Sequence, residues 1–106
     1  MNTFDTIKNQ VDTEKLVIVP SAWPYKTRLQ AARSEQTPGR ILKMLAEAPS
    51  VEVRSAVAAN SMTPLAVLNM LAADPSAEVC KTVAANPQTP AITRNRLIHK
   101  IFTNHT

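Results

Sequence analysis

The chain has little of the residue types that build disulfides, metal clusters or flexible phosphate-binding loops. Its 106 residues include one cysteine, one glycine and only 4% aromatic residues. A single cysteine permits no internal disulfide, which favours a reducing compartment, and a cytoplasmic protein is expected. Because Gly39 is the sole glycine, no glycine-rich phosphate loop can form. The N-terminal stretch lacks a signal-peptide core, and no apolar run has the length of a membrane-spanning helix.

Metal-ligating and catalytic arrangements are also lacking. His99 and His105, taken with Cys80, match no paired-ligand spacing on a helix, so no metal site is predicted. No two carboxylates stand on one helix face in a way that favours acid–base catalysis. We therefore expect no enzymatic activity and no cofactor. Cys80 is expected to be an at least partly exposed free thiol, because Arg54 occupies the same position one repeat earlier.

What the chain does have is an internal repeat. Pro38, Pro64 and Pro90 are equally spaced and each follows a threonine, and residues 37–62 and 63–88 align without a gap and are identical at more than half of their positions. Such a period predicts similar supersecondary units that bury their apolar faces against one another. A single domain is predicted over residues 1–106, with a degenerate repeat at 11–36, repeats at 37–62 and 63–88, and a C-terminal cap at 89–106.

The first half of each repeat predicts a short helix. Thr37 and Thr63 are predicted N-caps, with Pro38 and Pro64 at the first helical position, where the missing N–H costs little. Apolar residues follow on one face of this helix: Ile41, Leu42 and Leu45 in one copy, and Val67, Leu68 and Leu71 in the next. Met44 and Met70 are also predicted to belong to the core, with an adaptable binding groove as the alternative.

The second half of each repeat predicts another short helix. Pro49 and Pro75 end the first helix, because proline disfavours the α conformation of the residue before it. The second helix then carries an acid in its first turn and valines on its inner face: Glu52, Val53 and Val57, then Glu78, Val79 and Val83. Asn60 and Asn86 are expected to end it in the left-handed conformation.

The flanking segments predict altered copies of this unit. The run Leu16–Val19 is rich in β-branched residues, and it fits either the first helix of a degenerate repeat or a short extended segment. Downstream, Ile101 replaces the proline in the middle of the repeat. One longer closing helix is therefore predicted over residues 90–102. Atypical terminal copies cover the open ends of a stack.

The run from Leu71 to Pro90 resembles the variant leucine-rich repeat, a helical relative of HEAT-type arrays. Arg54 stands at that family's arginine position, and Ser61 departs from the Asn-Pro step that Asn86 keeps. The resemblance covers residues 37–90. It implies an all-α, right-handed solenoid of short helix pairs, some of them 3₁₀ in character, and it implies no activity. Some family members carry a cysteine-rich iron–sulfur segment, which a single cysteine excludes here.

Positive charge concentrates in the two flanking segments. The formal net charge is +4; residues 26–43 contribute +4, residues 89–106 contribute +3, and residues 44–88 contribute −2. These segments could neutralise phosphates, with two aromatic residues adding base stacking. The candidate nucleic-acid-binding residues are Lys26, Arg28, Arg33, Arg40, Lys43, Arg94, Arg96, Lys100, Trp23 and Tyr25. The competing interpretation is a set of solvated charges, with Trp23 and Tyr25 covering the end of the core.

The favoured function is a non-catalytic helical-repeat interaction module that binds a protein partner, with a homodimer possible. Binding would use the positions that vary while the repeat is otherwise conserved between copies. These outward positions are predicted to be Gly39 and Leu65, Arg40 and Ala66, Lys43 and Asn69, Ser55 and Lys81, and Ala56 and Thr82. Nucleic-acid binding is the alternative. An enzyme of the HEAT-like base-excision type ranks third, because no acid is well placed among the aromatics.

Overall fold

A computed structural model describes residues 20–103 of the chain. Their regular structure consists of a short 3₁₀ helix at Pro20–Ala22 followed by α1 (Tyr25–Arg33), α2 (Gly39–Leu45), α3 (Val51–Ala59), α4 (Leu65–Leu71), α5 (Ala77–Ala85) and α6 (Ala91–Thr103). No β-strand occurs between residues 20 and 103, so the predicted all-α class is confirmed there. The run Leu16–Val19 and the first part of the degenerate repeat, residues 11–19, lie outside the described residues.

The helices recur at the period of the sequence repeat. The nine-residue helices α1, α3 and α5 each begin one period after the last, and the seven-residue helices α2 and α4 are separated by the same period. The closing helix α6 begins one period after α4 and continues for 13 residues, as predicted for residues 90–102. It is longer because Ile101 stands where Pro49 and Pro75 follow the earlier helices.

The nine-residue helices pack directly on one another. The order is α1 on α3, α3 on α5, and α5 on α6, while α2 and α4 each contact the nine-residue helix on either side. The molecule measures 50 × 22 × 22 Å along its principal axes. The predicted apolar faces form the core: Ile41, Leu42, Leu45, Val53, Val57, Val67, Leu68, Leu71, Val79 and Val83 are all at most 3% exposed. Burial of each such side chain is worth about 1.5–3 kcal/mol.

The threonines before the prolines do not cap the helices that follow them. Pro38 and Pro64 are the N-cap residues, with ψ of 151° and 148°, and no side-chain capping bond is present. Each threonine hydroxyl instead donates back to a carbonyl of the preceding helix, at 2.6 Å: Thr37 to Ala31 O, Thr63 to Val57 O, and Thr89 to Val83 O. Each of these carbonyls also accepts the backbone N–H of the residue that follows the helix, so the threonine bond uses the second lone pair of a carbonyl at the helix end.

The predicted left-handed conformation of Asn60 and Asn86 is wrong. Their φ angles are −72° and −73°, and no residue from 20 to 103 has a positive φ. The buried amide of Asn60 donates to Ala32 O at 2.8 Å and to Ser34 O at 3.0 Å. The amide of Asn86 repeats this pattern one unit later, donating to Ala58 O at 2.8 Å and to Asn60 O at 3.2 Å. These asparagines therefore join the C-terminal ends of neighbouring nine-residue helices.

Four further predictions about exposure are corrected. Cys80 is 4% exposed, and its thiol donates to Asp74 O at 3.3 Å, the carbonyl equivalent to the Ala48 O that accepts from Arg54 one repeat earlier. Met44 and Met70 are 45% and 39% exposed rather than core. Gly39 does not face outward: an added Cβ would lie 2.8 Å from Pro64 Cγ, so its lack of a side chain permits close contact with the next unit. Ala56 is only partly outward-facing, because it packs against the core on one side and reaches the surface on the other.

Candidate interaction surface

The nine-residue helices carry an open groove on their outer surface, which we call the α1–α3–α5 groove. Its volume is roughly 390 Å³, and it is lined by Arg33, Glu52, Ser55, Ala56, Ala59, Asn60, Glu78 and Thr82. Three successive helices thus contribute to one concave surface. Such a surface depends on the helices packing in register, and no single unit possesses it.

Small side chains on α3 create the depth of this groove. Ser55, Ala56 and Ala59 project little beyond the helix backbone, whereas the same positions of α1 hold Leu29, Gln30 and Arg33. The Ser55 hydroxyl oxygen is buried and has no hydrogen-bond partner among the described residues. A buried hydroxyl without a partner carries a desolvation cost.

The ends of the groove differ in charge. Glu52 and Glu78 lie in the first turns of α3 and α5, whereas Arg33 is the last residue of α1. The asparagine bridges join the C-terminal ends of these helices, and the Tyr25 hydroxyl joins the N-terminal ends of α1 and α3 by donating to Glu52 Oε2 at 2.6 Å. The helices therefore run parallel. It follows that both carboxylates lie at one end of the groove and the guanidinium of Arg33 at the other.

The Tyr25 contact fixes one of the two carboxylates. The hydrogen bond to Glu52 raises the pKa of Tyr25 above its ordinary value, because ionised tyrosine would place a second negative charge against the carboxylate. The carboxylate of Glu78 forms no ion pair or hydrogen bond within residues 20–103. One acid of the groove is thus held in position and the other remains available.

The predicted nucleic-acid-binding residues fall into two groups. The exposed cations are Lys26 and Arg33 on α1, Arg40 and Lys43 on α2, and Arg96 and Lys100 on α6. Arg28 and Arg94 are half-buried and bind backbone carbonyls: Arg28 Nη1 donates to Ser21 O at 3.4 Å, and Arg94 Nη2 to Thr89 O at 3.0 Å. The packing order places α1 and α6 at opposite ends of the series α1, α3, α5, α6, so the structure does not bring the two basic segments into contact.

The aromatic residues proposed for base stacking have other partners. Trp23 is half-buried and packs against the core, as the competing interpretation predicted. Tyr25 is 41% exposed, and its hydroxyl is bonded to Glu52. Stacking on Tyr25 would bring a phosphate backbone close to that carboxylate.

No candidate metal cluster is found among the described residues. No group of three or more His, Cys, Asp or Glu side chains converges in residues 20–103. His99 is exposed on α6, and His105 lies outside the described range. A cavity of about 250 Å³ does lie beside Cys80, between α5 and α6, with Asp74, Lys100 and Ile101 on its walls.

Sequence reasoning found part of the groove and missed the rest. Ser55, Ala56 and Thr82 belong to the positions that vary between repeats, and all three line the groove. Glu52 and Glu78 were explained by helix capping, and Arg33 by the basic segment. The signal that could have joined them was the register of the repeat, which places equivalent residues on adjacent helices.

Compared with known proteins, the chain matches no family model, no curated protein sequence and no solved structure. Between residues 20 and 103, none of the helices combines the length and apolar character that crossing a bilayer requires.

Proposed function

We propose that this chain is a right-handed α-solenoid of the variant leucine-rich repeat type, acting as a non-catalytic module that binds a protein partner. Support for a repeat stack comes from bonds that recur at the sequence period. Thr37, Thr63 and Thr89 make the same bond at the same 2.6 Å length, and Asn60 and Asn86 make the same bridge. The extents of 50 × 22 × 22 Å fit a short rod built from such units.

The observation that carries the binding proposal is the α1–α3–α5 groove. It spans three successive units, it holds acids, a base and an unpartnered hydroxyl, and it has an apolar floor of Ala56 and Ala59. Binding sites combine apolar contact area with a few placed polar groups in this way. The groove is open rather than enclosed, which suits a segment of another protein better than a small molecule.

A photo-crosslinking amino acid placed at Thr82 tests the proposal. Discrete protein adducts are expected from this groove position, and they should disappear when Ala56→Arg fills the groove. The matched control places the same cross-linker at Lys43, which is exposed on α2 away from the groove. Equal adducts from both positions, or adducts that a nuclease removes, would contradict the proposal.

Nucleic-acid binding is the second candidate, supported by the six exposed cations on α1, α2 and α6. Its measurement is the affinity for labelled single-stranded and duplex nucleic acid at several salt concentrations. Contacts with phosphates make the logarithm of affinity fall linearly with the logarithm of salt concentration. Tight binding that loses affinity in Lys26→Ala, Lys43→Ala and Arg96→Ala variants would place this function above the protein module.

A further inference from the structure

The charges of the α1–α3–α5 groove specify the chemistry of its partner. We infer that the groove seats a lysine or arginine side chain of a protein segment between Glu52 and Glu78, an inference that rests on the proposed function. The protein's net charge of +4 alone would favour an acidic or phosphorylated partner segment. The two carboxylates of the groove favour a basic residue instead.

The first argument is the relative position of the two carboxylates. Glu52 and Glu78 occupy the same place on α3 and α5, which pack directly on each other, and both line the groove. Packed helices have axes about 8–10 Å apart, so two carboxylates in register flank a gap that one ammonium or guanidinium group can bridge. Like charges across such a gap repel each other, and a cation between them removes that repulsion.

The second argument is the pairing of the neighbouring charges. Arg54, also on α3, is committed to Asp74 at 2.8 Å and does not line the groove. Arg33 lies at the C-terminal end of the helices, away from the first turns that carry Glu52 and Glu78. Glu78 has no ion pair or hydrogen bond within the part of the chain that the structure describes. The acidic end of the groove therefore carries negative charge that no cation of the described residues pairs with.

The third argument is the floor beneath these acids. Ser55 lies one turn after Glu52 and lines the groove, and its buried oxygen lacks a partner among the described residues. A change of its χ1 rotamer would turn this oxygen into the groove, where it could accept from an incoming N–H donor. Ala56 beside it gives apolar surface for the methylene stem of a lysine or arginine. Two carboxylates, a serine hydroxyl and an apolar surface for the stem together match a long cationic side chain. A phosphate would meet two carboxylates at the same place.

Selection of displayed random peptides on the full chain tests the inference. Clones that lose binding to the Ala56→Arg variant define the groove-dependent set. That set should be enriched in lysine or arginine, and its members should bind the Glu52→Gln/Glu78→Gln protein about tenfold more weakly, since hydrogen bonds to charged groups are the stronger kind. Glu47→Gln is the matched control, because Glu47 is exposed but lies outside the groove; it should leave affinity unchanged.

Each outcome decides between the two proposals. Groove-dependent clones without basic enrichment, or with unchanged affinity for the double variant, would overturn the cation inference and leave the interaction module standing. Peptides that bind only elsewhere on the chain, unaffected by Ala56→Arg, would overturn both. Affinity that falls by the same factor in Glu47→Gln would show a general charge effect and would also overturn the inference.

Discussion

The helices that pack in series form three junctions, α1–α3, α3–α5 and α5–α6. The central junction differs from its two neighbours by one ion pair, between Arg54 and Asp74. Arg54 on α3 donates from Nε to Asp74 Oδ2 at 2.8 Å and from Nη1 to Ala48 O at 2.9 Å. Arg28 holds the equivalent position on α1, one repeat earlier, but Ala48 occupies the position equivalent to Asp74. Consequently Arg28 Nε is buried without a partner among the described residues. We call this pair of an arginine and the carboxylate that binds it the arginine clamp. The clamp is complete at Arg54, whereas at Arg28 only the arginine is present.

The third junction lacks both halves of the clamp. Cys80 replaces the arginine, and Lys100 stands one repeat after Asp74, at the equivalent position. The helices nevertheless pack in the same order at all three junctions, and the threonine bond is present at each of them. The features common to all three junctions are therefore the apolar core and the threonine bonds, while the asparagine bridges strengthen two junctions and the arginine clamp one.

Removing the clamp where it is complete should have the largest effect. Asp74→Ala should lower the free energy of unfolding by about 3 kcal/mol, because it leaves the charge of Arg54, whose side chain is only 14% exposed, without its carboxylate. Chemical denaturation measures the change. Arg28→Ala is the matched control and should cost less than about 1 kcal/mol, because the Arg28 guanidinium makes one long bond to Ser21 O. Equal losses in the two variants would show that the clamp adds nothing to the central junction.

The asparagine bridges should cost the same at both junctions where they occur. Asn60→Ala and Asn86→Ala each remove the amide donor of a buried carbonyl, Ala32 O or Ala58 O, and the acceptor of a backbone N–H two residues on, so each should destabilise the protein by about 2 kcal/mol. Asn95→Ala, on the exposed surface of α6, is the control for helix propensity. A large loss in only one of the two variants would contradict the view that the bridges form a repeated element.

These asparagines also show what the sequence could and could not predict. Helix positions were predictable, because prolines, apolar spacing and first-turn acids act within one unit. The roles of Asn60, Thr37 and Cys80 were not: the Asn60 bond to Ala32 O spans 28 residues, and the bonds of Thr37 and Cys80 each reach a carbonyl six residues earlier in the chain, beyond the i−4 spacing of a helix. The groove was predictable at Ser55 and Ala56, which vary between repeats. Its acids serve equally well as helix-capping residues, so local reasoning gave them no second role.

Completing the first clamp should stabilise the chain. Ala48→Asp places a carboxylate at the position equivalent to Asp74, where it can accept from Arg28 Nε and from the Ser50 amide, as Asp74 accepts from the Ser76 amide at 2.9 Å. The expected gain is about 1 kcal/mol in the free energy of unfolding, since a buried donor acquires its partner. In an Arg28→Ala background the same substitution should destabilise, because Ala48 is 8% exposed and the new charge would be unpaired.

Rebuilding the last clamp should have the smallest effect, because its geometry is the least conserved. Cys80→Arg fills the cavity of about 250 Å³ beside α6, where Lys81 and Lys100 already place positive charge, so alone it should destabilise. Lys100→Asp supplies a carboxylate on the wall of the same cavity, and together the two changes should show a favourable coupling of about 1 kcal/mol in a double-mutant cycle. The coupling stays below that of Arg54 and Asp74 because residue 100 lies within the continuous helix α6, whereas Asp74 lies in a turn that lets its carboxylate approach the guanidinium at both oxygens. Zero coupling would mean that the clamp forms only where the carboxylate lies in a turn, as Asp74 does in the turn that Pro75 produces after α4.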